Sequence, residues 1–249
     1  MSARPARGGC GALALALVLV LLAAVLGCSK RARPGRRTDP AQPAPPPVAA
    51  QPGLLVTRSR ISFVVPLPRK HVEAIRALPG VAAVTWASWL GARDLRAKQE
   101  FLANWGVDAP SWLEVMGDQM TIAPEQRQAW LSDRAGLLVG AQLLARLGWK
   151  LGDHVVLGGG IVPGEFEAVV RASFTARGSE MGDDGLLLHW SFLEDQMPPA
   201  HQGRVGWIMI RPAPGSDPAA LQQQIDALFA ASDAPTLTMT SAALRQQLK

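Results

Sequence analysis

Cys28 is the residue whose position most clearly indicates chemistry. It follows Gly27 at the end of an apolar run that extends from Gly11 to Leu26, and Arg4 and Arg7 precede that run. The thiolate of a cysteine is a nucleophile, and a cysteine beside an apolar segment can carry an acyl chain at a membrane. The pattern therefore indicates either lipid attachment at Cys28 or a membrane-inserted segment that ends there.

The first 27 residues have the layout of a secretory signal peptide, with a basic start, an apolar stretch and a small residue at the cleavage point. A membrane-spanning helix needs ~20 apolar residues, and this run is shorter. Val25-Leu26-Gly27-Cys28 resembles the bacterial lipobox, in which the signal is cleaved before a cysteine that is then lipidated. We therefore predict a signal peptide over residues 1–27, cleavage between Gly27 and Cys28, and lipid attachment at Cys28. The alternative is an uncleaved N-terminal membrane helix, and both place the remaining chain on the periplasmic side of the cell envelope.

Residues 28–53 have the composition of a spacer. Seven prolines lie between Arg31 and Gly53, including Pro45-Pro46-Pro47. Such a chain is extended at ~3.1 Å per residue, so it would hold a domain up to about 70 Å from the membrane. Because residues 28–53 also contain five basic residues and one acidic residue, this lipid-anchored linker would be attracted to anionic head groups.

The positive charge of the chain is concentrated before residue 54. The whole sequence carries +5 and has a pI near 9.9. Residues 1–27 contribute +2 and residues 28–53 contribute +4, which leaves −1 for residues 54–249. A near-neutral domain lacks the basic surface that binds phosphate backbones, so we expect no nucleic-acid partner.

Residues 54–249 contain no recognisable catalytic motif. Both cysteines precede them, and no G-x-S-x-G nucleophile elbow is present. The triplet Gly158-Gly159-Gly160 is predicted to turn between two strands, whereas a phosphate loop leads into a helix. The segment Gly182-Asp183-Asp184-Gly185, with Glu180, lacks the alternating oxygen ligands of a calcium loop, so we predict a solvated loop there.

The histidines, paired carboxylates and tryptophans also favour structural roles. The four histidines are far apart and have no partner at metal-ligand spacing. Glu165 and Glu167 share a strand face that is predicted to be solvated. The eight tryptophans are expected to pack in the interior, with the alternative that Trp105, Trp112 or Trp149 lines an apolar cleft. We therefore expect no catalytic residue, no cofactor and no metal, and hence no enzyme.

Each end of the domain predicts a strand, a helix and a second strand. At the first end these are Leu54 to Val65, Pro68 to Leu78 and Val81 to Leu90. At the second end they are Arg204 to Arg211, a helix that begins at Pro218 after the capping residue Asp217, and Thr236 to Thr240, followed by a polar tail. Proline suits the first turn of a helix, and aspartate suits the position before it.

The middle of the chain predicts short strands and helices. From Glu165 to Phe174 apolar and polar residues alternate, which is typical of a strand with one buried face. The other predicted strands are Phe101–Val107, Gly136–Gly140, His154–Leu157 and Leu186–Trp190, and the predicted helices are Ala109–Met116, Pro124–Ser132 and Ala141–Leu147. The predicted fold class is α+β, with a split β-α-β sheet lobe formed by residues 54–95 and 200–249 and a strand-rich inserted second lobe formed by residues 96–199.

Eight short segments, distributed in order along nearly the whole domain, identify its family. They are Ser62–Pro68, Leu78–Val81, Leu138–Gly140, Gly148–Asp153, Leu188–Leu193, Gly203–Trp207, Ile225–Ala230 and Ser232–Thr236. With these segments, residues 54–249 resemble the periplasmic core domain of MacB/FtsX-type ABC transporter permeases. One departure is Arg171-Ala172, where the family usually has a glycine that closes the strand.

The resemblance implies a non-enzymatic role at the outer face of an ABC transporter, in substrate handling or in coupling. A permease of this family has a membrane helix before this domain and three after it, whereas here Lys249 lies about where the second helix would begin. We therefore expect an accessory lipoprotein that works with separate ABC permease and ATPase subunits and meets a lipid, lipoprotein or other apolar substrate. The alternatives are a stand-alone periplasmic carrier of an apolar ligand and a fragment of a truncated permease.

Overall fold

A computed structural model of the chain describes residues 53–96, 102–158, 160, 164–177 and 182–247. All of them belong to one compact unit. The strands are β1 (Leu55–Ser59), β2 (Leu67–Pro68), β3 (Val81–Trp89), β4 (Arg93–Asp94), β5 (Ala103–Val107), β6 (Met120–Thr121), β7 (Gly136–Gly140), β8 (His154–Gly158), β9 (Glu165–Ala176), β10 (Gly185–His189), β11 (Arg204–Val205), β12 (Trp207–Pro212) and β13 (Thr236–Thr240). The helices are α1 (Lys70–Arg76), α2 (Ala109–Met116), α3 (Pro124–Ser132), α4 (Ala141–Leu147), α5 (Trp190–Glu194), α6 (Pro218–Phe229) and α7 (Ser241–Gln247).

The predicted α+β class is confirmed, and its centre is one mixed sheet. The strand order is β13-β1-β12-β3-β5-β10-β7-β9-β8-β4, with β6 also paired to β9. The two ends of the domain supply β13, β1, β12 and β3 as antiparallel neighbours. The middle of the chain supplies β5, β10, β7, β9 and β8, and the pairs β5–β10 and β7–β9 are parallel. Strand β4, which follows β3 in the chain, pairs with β8 at the far edge of the sheet. The sheet continues across the two parts because Ala87 pairs with Val107 and Trp89 with Trp105.

One face of the sheet has a continuous core, and the other face has two. Successive strand residues alternate between faces, so Leu55 packs under α1 and α6 whereas Val56 packs on the α2 face. The α2 face joins both parts of the domain, since Met209 shares a cluster with Leu187. On the other face, the end strands pack against α1 and α6, and the inserted strands pack against α4 and α5.

The apolar residues of β9 pack on one face of the sheet in the first part of the strand and on the other face in the second part. The predicted burial of Phe166, Ala168, Val170, Ala172 and Phe174 is confirmed, but the prediction that they share one face was wrong. The register with β7 shifts after Val170, where a bulge leaves Arg171 as the extra residue. The first three therefore pack on the α4 side, and Ala172 and Phe174 pack on the α2 side. The departure from the family's glycine thus falls at a bulge.

Five predicted boundaries were wrong. The first helix begins at Lys70 rather than at Pro68, which lies in β2. The strand predicted from Arg204 to Arg211 is divided at Gly206 into β11 and β12, which belong to different sheets. The first strand ends at Ser59 rather than Val65, because the next position on β13 is Pro235, which has no N–H to continue the ladder. The strand predicted to include Trp190 ends at His189, and Trp190 begins α5. The polar tail is helix α7, in which the Thr240 hydroxyl accepts the N–H of Ala243.

Candidate functional site: the paired ends and the tip loop

The two ends of the domain leave the sheet side by side. Strands β1 and β13 are antiparallel neighbours in which Leu55 pairs with Thr240. The N–H of Ser241, the first residue of α7, donates to the carbonyl oxygen of Leu54 at 2.8 Å. The chain therefore enters β1 and leaves β13 at the same end of the sheet.

Asp226 on α6 holds the outer strand at these paired ends. Its Oδ1 accepts the hydroxyls of Thr236 and Thr238 at 2.9 and 2.8 Å, and its Oδ2 accepts the N–H of Thr238 at 3.0 Å. The hydroxyl of Thr238 also lies 2.9 Å from that of Thr57 on β1. One carboxylate therefore fixes the register of β13 against both its neighbouring helix and its neighbouring strand.

The opposite end of β1 carries an exposed apolar loop, residues 60–66, which we call the tip loop. Ile61 is 71% exposed and Val64 is 86% exposed. Phe63 turns inward and stacks on Trp207, with ring centroids 5.3 Å apart and planes at 26°. The sequence pattern here predicted a buried strand face, so the exposure of Ile61 was missed.

The tryptophans do not form one apolar cleft. Trp112 is 4% exposed and lies in the α2-side core. Trp105 packs against the same core and meets Trp89 edge to face, with centroids 6.1 Å apart. Trp149 lies apart from them and lines a cavity of about 240 Å³, whose other residues include Asp94, Arg96, Asp153 and His154.

The larger of the two main cavities found among the described residues is lined by five polar side chains and three alanines, with no aromatic or large apolar side chain. It has a volume of about 460 Å³ and lies beside α6, with Arg60, Gln222, Gln223, Asp226 and Thr238 in its lining. Sites for apolar ligands are lined mainly by apolar and aromatic side chains. This lining therefore does not favour a carrier of an apolar ligand.

Two histidines are buried. His71 stacks on Phe229 with centroids 3.8 Å apart, and its Nε2 lies 3.1 Å from the carbonyl oxygen of Ala234. Burial lowers the pKa of His71, with a further contribution from Lys70. Burial also lowers the pKa of His189, against the opposing effect of its hydrogen bond to the carbonyl oxygen of Trp130.

Asp183 has a structural role that its sequence context did not reveal. Its carbonyl oxygen accepts the N–H groups of Gln142 and Leu143 at 3.0 and 3.2 Å, and its Oδ1 accepts the Gln142 side chain at 2.6 Å. It therefore caps α4, because Gly140, the residue before that helix, has no side chain to do so. Within the described ranges, no three His, Cys, Asp or Glu side chains are grouped closely enough to hold a metal. Glu180 lies outside those ranges.

Of the other predicted site residues, some lie outside the described part of the chain and the rest are exposed. Gly27 and Cys28 lie outside the described residues, as do the signal peptide and the linker up to residue 52. Glu165 and Glu167 are exposed as predicted, and the Oε1 atom of Glu167 lies 2.7 Å from His154 Nδ1. None of the helices in the described part of the chain combines the length and apolar character needed to cross a membrane.

The architecture is that of extracytoplasmic transporter domains. The periplasmic region of MacB from Actinobacillus actinomycetemcomitans superposes with a TM-score of 0.54 at 10% identity, covering 79% of this chain and 92% of that one. The extracellular domain of the ABC-type transporter YknZ from Gram-positive bacteria superposes with a TM-score of 0.54 at 10% identity, covering 75% and 100%. A comparison with curated proteins found no significant match.

The sequence also matches the model of the MacB-like periplasmic core domain over residues 13–228. The chain belongs to this family, which confirms the resemblance seen in its sequence. The match begins inside the apolar segment and therefore includes Gly27 and Cys28.

Proposed function

We propose that the chain is a non-enzymatic, membrane-tethered periplasmic domain that works with the permease and ATPase subunits of an ABC transporter. It contributes to substrate handling or to coupling at the outer face of the membrane. The family match over residues 13–228 is the observation that carries this proposal. The pairing of β1 with β13 supports it, since the strand nearest the proposed tether then lies in the same sheet as the rest of the domain.

The tether is the second part of the proposal. Residues 1–27 are removed as a signal peptide, Cys28 carries the lipid, and residues 28–53 form the spacer. The working domain is then residues 54–249, with 54–95 and 200–249 as the first lobe and 96–199 as the inserted lobe. The Gly27-Cys28 junction and the prolines behind it support this assignment.

An N-terminal membrane helix is the competing form of the tether. The observation that favours it is that the family match begins at residue 13, within the apolar run. Either tether leaves the domain on the periplasmic side, so the proposed partnership does not depend on which one is correct. Substitution of Cys28, discussed below, separates the two.

Site-specific crosslinking in intact cells tests the partnership. Photoreactive residues are placed at exposed Glu114, Leu151 and Gln246, which lie on α2, in the turn after α4 and on α7. We expect at least one position to recover an ABC permease or its ATPase repeatedly, and a Trp130→Ala background, which disrupts the core, to lose that product. If every position recovers no ABC subunit while the protein is folded and exported, the proposal is overturned.

A further inference from the structure

We propose that the tip loop is a membrane-docking element that inserts Ile61 and Val64 into the interface of an anionic lipid surface. These two side chains are the most exposed large hydrophobic residues in the described part of the chain, and they lie three residues apart in one loop. Large aliphatic side chains at the apex of a loop fit the boundary between head groups and acyl chains.

The charge around the tip loop complements such a surface. Residues 58–72 contain Arg58, Arg60, Arg69 and Lys70 and no acidic residue. Arg69 is paired with Glu194 at 2.6 Å, and the guanidinium groups of Arg58 and Arg60 donate to the carbonyl oxygens of Ser59 and Thr236. Lys70 begins α1, and Arg204 lies opposite Pro68 in the β2–β11 pair. Basic residues that surround an apolar apex are attracted to anionic head groups while the apolar residues enter the interface.

Several backbone N–H groups of the tip loop form hydrogen bonds within the loop and its flanking residues. The N–H of Ile61 donates to the Ser59 hydroxyl at 3.2 Å, and the N–H of Val64 donates to the Ser62 hydroxyl at 3.4 Å. The carbonyl oxygen of Ser62 accepts the N–H of Val65 at 3.3 Å, and the next residue, Pro66, has no N–H. Unpaired backbone groups make entry into a lipid interface costly, and these internal bonds reduce that cost for the N–H groups of Ile61, Val64 and Val65.

Contacts with neighbouring residues hold the tip loop in place. The loop lies at the end of β1 opposite to the paired ends. Phe63 is fixed on Trp207, and the N–H of Arg60 donates to the carbonyl oxygen of Pro235 at 2.9 Å. The strand between the paired ends and the tip loop has five residues, about 17 Å, which is short compared with the spacer. The domain can therefore turn on its tether until the tip meets a membrane, whether that tether is a lipid or a helix. A negative result here leaves the proposed transporter partnership untouched.

Vesicle binding tests the inference on the segment from Val48 to Lys249, which contains all three cores of the described residues. This segment has no cysteine, so Val64→Cys gives one site for an environment-sensitive fluorophore, and Leu151→Cys, 48% exposed, is the matched control. With vesicles of equal parts phosphatidylglycerol and phosphatidylcholine, we expect a blue shift at position 64 and none at 151. Phosphatidylcholine alone should give a much smaller shift.

Substitutions at the same surface provide the quantitative test. The double variant Ile61→Ser, Val64→Ser should bind the anionic vesicles at least about tenfold more weakly, whereas Leu151→Ser should bind like the parent. Lys70→Gln with Arg204→Gln should weaken binding and reduce its salt dependence. No shift at position 64, or an equal shift at 151, overturns the inference. Crosslinking from position 64 to a protein, without any vesicle binding, overturns it in favour of a protein-docking loop.

Discussion

The Nε2 atom of His189 lies 2.9 Å from the carbonyl oxygen of Trp130, and this hydrogen bond is buried. The two rings are 5.2 Å apart, and Trp130 is fully buried in the α2-side core. His189 ends β10 and Trp130 lies on α3, so the bond ties a helix to the centre of the sheet. A protonated imidazole in this position would place a charge inside the core, and the acids Asp133 and Asp108 only partly offset that effect.

The first prediction concerns stability at mildly acidic pH. Burial lowers the pKa of both His189 and His71 in the folded state, whereas in the unfolded chain both titrate near ~6.5. As the pH falls below about 6.5, the unfolded state binds protons that the folded state does not, so the free energy of unfolding decreases until the folded pKa values are passed. Urea unfolding at about pH 7.5 and pH 5.5 should show this loss.

Glutamine variants assign the pH effect to these two residues. The double variant His71→Gln, His189→Gln keeps a side-chain N–H donor at each site but cannot titrate, so its stability should change less between the two pH values. The exposed His201→Gln is the control and should follow the parent protein. An unchanged pH dependence in the double variant would contradict the assignment.

The second prediction concerns the close approach of Gly140 to Asp183. A Cβ at position 140 would lie 2.7 Å from the Cα of Asp183 and closer still to its carbonyl group. Because backbone rather than a flexible side chain is in the way, Gly140→Ala should destabilise the fold by about 1–3 kcal/mol or more. Gly117→Ala is the control, since Gly117 has helical angles and open space around it, and it should be neutral or stabilising by up to about 1 kcal/mol. Thermal unfolding measures both variants, and equal midpoint temperatures for Gly140→Ala and Gly117→Ala would contradict the close approach.

Helix boundaries that are set by neighbouring residues could be predicted from the sequence. Helix α2 begins where expected because the Asp108 carboxylate accepts the N–H of Ser111, and α6 begins where expected because Asp217 accepts the N–H of Ala219 at 2.9 Å. Helix α4 ends at Gly148, whose φ of 68° is left-handed, as glycine at a helix end predicts. Each of these signals lies within a few residues of the boundary that it sets.

Features that depend on distant parts of the chain could not be predicted in this way. The early end of β1 depends on Pro235, which is more than 170 residues away, and the cap on α4 depends on Asp183, which is 41 residues from Gln142. The bulge at Arg171 has no neighbouring glycine that would have predicted it from the sequence. The tip loop is a consequence of the early end of β1. Its apolar residues alternate as in a strand, but the strand pairing stops before them.

The third prediction concerns the clamp between α6 and β13. Asp226→Ala removes the acceptor of three hydrogen bonds from Thr236 and Thr238, both of which are buried. Buried donors without a partner are costly, so we expect a loss of roughly 2–3 kcal/mol in the free energy of unfolding. Faster amide exchange at Thr238 should accompany the loss, because its N–H then lacks the carboxylate. Exposed Asp233→Ala, close to the same strand, is the control and should change stability by less than about 0.5 kcal/mol.

The fourth prediction decides how the chain is held at the membrane. If Cys28 is acylated after cleavage behind Gly27, Cys28→Ala should abolish labelling by a fatty-acid probe and leave a precursor that retains residues 1–27. Cys10→Ala is the matched control, because Cys10 is the other cysteine of the chain and lies before the proposed cleavage site, so this variant should be labelled and processed normally. A protein that keeps its membrane association and its full length in all three forms, without labelling in any, would instead establish the apolar run as an uncleaved helix. In both outcomes the predicted spacer of residues 28–53 would separate the domain from the anchor, so the choice between lipid and helix would change the anchor and not the length of the spacer.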